Sequence, residues 1–166
     1  MDAPPASRHP RLRSFSGWTR LIFPSHCYRN AHMSTDFYNA FYRHATDADL
    51  LLDKERWANA DHHYGLAAEC ALKAILLQQG ISSKSGDIAD PKYKQHIDKL
   101  WDKYQSFMQT KNTYVLPTRN SFHDWSIDQR YAHENDIAEQ TARNHGAAVA
   151  SLKKIVEKAE LAGVLP

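Results

Sequence analysis

Chemistry-bearing residues crowd one short segment, RNSFHDWSIDQRY, residues 119–131. It packs two arginines, Arg119 and Arg130, with His123 and Trp125 into thirteen residues ending at Tyr131, and it follows neither a helical nor a strand period. Such a segment can act as a catalytic loop or as a clasp that holds helices together. For the Arg130–Tyr131 end the clasp is the preferred reading. Arg130 can fold back onto a carboxylate such as Glu69 or Asp128, and Glu69 sits in a strongly apolar stretch where a half-buried acid needs a partner. Three further histidines, His44, His62 and His63, invite a metal reading. Adjacent helical positions diverge by about 100 degrees, so His62 and His63 chelate one ion poorly. The His-x-x-x-His spacing of helical zinc sites is absent from the chain. The expectation is therefore no metal site and no cofactor. Trp57, Tyr64, Trp101 and Tyr104 recur at helical spacing and read as core rather than as a base-stacking platform.

The elements that must position these residues read as helices. Phe37, Phe41, Ala45, Ala48 and Leu52 trace one amphipathic face, with Ser34 or Thr35 placed to cap it and DKER ending it near residues 53–56. RWANADHHYGLAAECALKAILLQQG follows, its line through Trp57, Ala60, Tyr64, Ala67, Ala71, Ala74 and Gln78 widened by Leu66, Cys70 and Leu77. Gly65 and the alanines leave room for a close neighbour, and Gly80 ends the run. This helix is expected at the centre of the fold. Asp90 and Pro91 suit the start of a third helix carrying Ile97, Trp101, Tyr104 and Met108. A loop of over twenty residues precedes a last helix with Ile137, Thr141, Ala148, Leu152, Ile155 and Ala159, closed by Gly163. Period-two alternation is missing throughout. The fold class is all-α, an up-and-down four-helix bundle with a long loop before the last helix.

Composition narrows the function classes. A chain of 166 residues with 42% hydrophobic and 24% charged residues suits one globular domain. No run approaches the ~18–20 apolar residues of a helical membrane span, so no membrane association is expected. Two cysteines, Cys27 and Cys70, make neither a disulfide framework nor a zinc site. The formal net charge is +2, yet residues 1–32 set Arg8, Arg11, Arg13, Arg20 and Arg29 against the single acid Asp2. The remainder is net acidic and offers no general electrostatic footprint for nucleic acid. Residues 1–32, basic and containing Pro4, Pro5, Pro10 and Pro24, read as a disordered or artefactual extension, with Met33 as an ordinary start. The folded domain is then residues 33–166.

Three segments carry a family resemblance. GLAAECALKAILL resembles the second-helix signature of the HEPN family of small prokaryotic helical bundles, in which Ala-Ala-Glu precedes a Leu-Lys pair, here Leu72 and Lys73. KQHIDKL resembles the start of that family's third helix. FHDWSIDQRY resembles its Trp, four residues, then Arg-Tyr. Together they cover roughly residues 36–162.

The resemblance implies a four-helix domain, a homodimer, a cytoplasmic location and a toxin–antitoxin or defence setting with a nucleotidyltransferase antitoxin as partner. Some members resemble binding modules for RNA or nucleotides. Others resemble metal-independent ribonucleases that use an Arg, four to six residues, then a His. In that chemistry RNA supplies its own 2′-hydroxyl nucleophile, a histidine moves the proton, and an arginine stabilises charge on the phosphate. Here Arg119 and His123 form that motif shortened by one residue, and Arg130 with His133 is a shorter pair still. The leading expectation is an RNA- or nucleotide-binding module, with Arg130, Tyr131, Glu69, Lys73 and His133 as binding residues. The alternatives are an endoribonuclease using Arg119 and His123 as catalytic pair, and a structural protein-interaction domain.

Overall fold

The computed structural model describes residues 34–82 and 86–166. The basic N-terminal segment and Cys27 therefore lie outside the described residues, and so does the expectation of disorder there. Among the described residues four α-helices form: α1 (Phe37–Asp53), α2 (Trp57–Gln78), α3 (Ile97–Lys111) and α4 (Glu139–Leu161). Among the described residues no strand forms, and Ser82 and Ile88 make only an isolated antiparallel bridge. The all-α, four-helix class read from the sequence holds.

α1 is capped by Asp36 rather than by Ser34 or Thr35, its carboxylate accepting the Asn39 N–H at 2.9 Å. A carboxylate suits this place because it also meets the positive end of the helix dipole. Phe41 and Ala48 are buried. The helix is tied sideways at two points. The Tyr42 hydroxyl donates to Glu160 of α4 at 2.5 Å, and the Tyr64 hydroxyl of α2 donates to Asp49 at 2.7 Å.

α2 is the central helix and packs against α1, α3 and α4. Its alanines explain how: Ala60, Ala67, Ala68, Ala71 and Ala74 are all buried and let three helices approach, while Leu72, Ile75 and Leu76 fill the spaces between them. Each fully buried Leu or Ile contributes roughly 1.5–3 kcal/mol. The small-residue face is thus consumed within the chain and offers no surface to a second copy. Gly80 takes φ +90° just past the helix end, where only glycine is unstrained.

Asp90 caps a separate 3-10 turn, Pro91–Tyr93, and α3 begins only at Ile97. α3 buries Ile97, Leu100, Trp101, Tyr104 and Met108, and the Tyr104 hydroxyl donates to the Tyr114 carbonyl at 3.0 Å, fixing the exit into the long loop. That loop is better organised than its composition suggests. It contains 3-10 turns at Ile127–Tyr131 and Glu134–Asp136 and buries Leu116, Phe122 and Trp125. Ile137 precedes α4 instead of starting it. Trp57 is only half-buried, with the Arg143 guanidinium 5.7 Å from its ring centroid, so it is a rim residue where a core one was expected.

Candidate functional site

The long loop is anchored through Trp125. Its indole lies so close to α2 that a Cβ on Gly65 would fall 2.0 Å from Cε2. Glycine is required here for close approach. The indole N–H donates to the Asp61 carbonyl at 3.1 Å, and the His62 ring stacks on it with centroids 5.8 Å apart.

One turn of the helix brings the Asp61 side chain to the same place. It is fully buried and meets His145 of α4, Nδ1 to Oδ1, at 2.5 Å. The other Asp61 oxygen accepts from the Gln129 amide at 2.6 Å. The far side of the imidazole, Nε2, lies 3.2 Å from Asp124 Oδ1, and the Phe122 ring stacks on its face at 4.6 Å. A neutral imidazole donates through one nitrogen only, so His145 donates to both carboxylates at once only as an imidazolium, the form the two acids favour. Burial by itself pushes His145 down. The hydrogen bond and charge of Asp61, reinforced by Asp124, outweigh it and raise the group above its ordinary value. When protonated, His145 offsets one of the two carboxylates that meet at the junction of α2, α4 and the loop.

Above this junction opens a cleft of about 260 Å³ lined by Arg119, Asn120, Ser121, His123, Asp124, Thr141, Asn144 and His145. Asn120 shapes its wall: its amide donates to the Asp98 carbonyl at 2.8 Å and its oxygen accepts the Phe122 N–H at 2.8 Å. Arg119 and His123 are exposed at the rim. His123 Nδ1 lies 3.1 Å from the Asn120 carbonyl and 3.7 Å from Asp124. The shortened spacing is thus accommodated by a loop, and the two side chains line one polar cleft together with the Asp124 carboxylate.

The proposed clasp is different from the one read in the sequence. Glu69 pairs with Lys73 at 2.7 Å and with His96 Nδ1 at 2.9 Å, and Arg130 reaches neither Glu69 nor Asp128 in an ion pair. The reason is reach. Lys73 lies one helical turn away on the same face, and His96 is brought in by the turn before α3, whereas Arg130 is exposed and lies 4.7 Å from the centroid of the exposed Tyr131. The loop is clasped instead by Gln129 and Trp125. Arg130 borders a second cavity of about 240 Å³ with His62, His63, Gln129 and Glu134. His133 is separate from it: it caps the following 3-10 turn, accepting the Asn135 N–H at 3.2 Å. Of the binding residues named from the sequence, Arg130 lines this cavity and Tyr131, Glu69, Lys73 and His133 do not.

The three segments that carry the resemblance do converge. Gly65 and Glu69 of the first touch Trp125 of the third and His96 of the second, and the His96 and Trp125 rings lie 6.5 Å apart. Sequence reasoning missed Asp61, Asp124, Gln129 and His145. Two signals were present. Asp61 stands one turn from both Trp57 and Gly65, and His145 stands in register between Thr141 and Leu152 on an otherwise apolar stripe. No family model, no curated protein and no solved structure matches the chain.

Proposed function

We propose that the chain is a HEPN-like RNA- or nucleotide-binding module, and that the cleft between the long loop and α4 receives a phosphate group. The observation that carries this reading is the shared cleft itself: Arg119 and His123 line one cavity with Thr141 and Asn144. Among the described residues Arg119 forms no ion pair, which leaves its cation to an incoming anion, while His145 as a cation offsets one of the two carboxylates, Asp61 and Asp124, beside it. The convergence of the three motif segments around Trp125 supports the family part of the reading. Because the chain beyond residue 32 is net acidic, affinity rests on this local cluster rather than on overall charge.

The same two side chains would serve an endoribonuclease, with His123 as proton carrier and Arg119 as phosphate clamp. One assay separates the two readings. Labelled single-stranded RNA and, separately, ATP are titrated into the full chain, with Arg119→Ala and His123→Ala variants alongside. Binding that weakens in Arg119→Ala and loses salt dependence by about 0.7 per lost phosphate contact supports the module. Cleavage in EDTA by the parent and not by His123→Ala makes it a nuclease. Affinity for neither ligand overturns both.

A further inference from the structure

The strongest feature outside the cleft joins α1 to α2. His44 and His63, from the two helices, turn their Nδ1 atoms toward each other at 3.3 Å, and Asp47 adds a carboxylate one turn along α1 from His44. All three donor atoms lie within 4.8 Å of one another, and each residue is half-buried. His62 turns away to stack on Trp125, so the pair that converges is not the adjacent one.

From this geometry we infer a binding site for a late first-row divalent cation of the zinc type, formed by His44, Asp47 and His63. Two nitrogens bound to a tetrahedral zinc at about 2.0–2.1 Å stand about 3.3–3.4 Å apart, which is the separation His44 and His63 already have. A direct N–H···N bond favours a closer approach, near the 2.9–3.0 Å typical of N–H donors. Two imidazoles and one carboxylate suit zinc, cobalt or nickel better than magnesium or calcium, which take oxygen donors. Three protein ligands leave a coordination position for water. Placing one His and one Asp on α1 against one His on α2 makes the ion a cross-link between the two helices. It stabilises the folded chain by mass action, because the unfolded chain does not hold the three donors together. The inference is independent of the phosphate cleft, which shares none of these residues.

The test is titration of the full, metal-free chain with Co²⁺ and, in a parallel series, Zn²⁺. The expected result is visible Co²⁺ d–d bands saturating near one equivalent, without a thiolate charge-transfer band, and a melting temperature raised by Zn²⁺. His44→Gln and His63→Gln each abolish the bands and the thermal shift, Asp47→Asn weakens both, and His62→Gln keeps them. Circular dichroism of the metal-free variants confirms that each still folds. Bands that persist in both His44→Gln and His63→Gln assign the metal to other histidines and overturn the site. So does a parent chain that shows no bands and no shift.

Discussion

His145 on α4 and Asp61 on α2 meet at 2.5 Å in a place sealed from solvent, and the whole cleft is built outward from that pair. Asp61 also accepts from Gln129 and, through its carbonyl, from Trp125, while Asp124 lies against Nε2 of His145. The loop that presents Arg119 and His123 is thereby tied to two helices through one buried ion pair. A buried pair contributes modest net stability when intact, yet removing one member strands the other charge.

Replacing either member should therefore be costly. His145→Ala or Asp61→Ala is expected to destabilise the fold by about 3–5 kcal/mol. Urea denaturation followed by circular dichroism reads this directly. A loss within experimental error of zero for both variants would show that the pair is not a buried ion pair.

The same pair sets a pH dependence whose sign is determined. The folded pKa of His145 is raised, so its contribution is complete below the unfolded value of about 6.5 and is lost as pH rises through the folded value. The difference in melting temperature between the parent and His145→Gln is expected to be largest below about pH 6 and to shrink on the alkaline side. A difference that grows with rising pH would contradict the assignment.

Gly65 is the point where α2 and the loop come closest. Gly65→Ala puts a methyl group into the Trp125 indole and is expected to cost about 1–3 kcal/mol or more, with a change in tryptophan fluorescence as the ring shifts. An alanine variant as stable as the parent would mean that Trp125 is not seated against α2.

Glu69 and Arg130 separate the observed clasp from the one read in the sequence. Glu69→Ala leaves the largely buried Lys73 ammonium unpaired and should cost about 2 kcal/mol, whereas Arg130→Ala should change stability by no more than about 0.5 kcal/mol. Thermal melts of the two variants decide it. Equal large losses would restore Arg130 as a structural partner.

Much of this architecture was legible in the order of residues. The apolar periods of α1, α2, α3 and α4, the central place of α2 and the turn at Gly80 all follow from local spacing, because a helix buries whatever recurs every three or four positions. The concentration of chemistry between Arg119 and Tyr131 was legible for the same reason, as a stretch that no period claims. Partners across the fold were not. Glu69 could be seen to need a cation, and Lys73 one turn along the same helix was within local reach, but whether His96 or Arg130 joined it depended on how the chain packs around α2. Likewise His44 and His63 lie nineteen positions apart in sequence and converge only because α1 folds back along α2. Spacing along a chain determines which residues share a face of one element. Pairing between elements is determined by packing, where Gly65 admits an indole and Asp61, buried beneath it, selects a histidine from the last helix.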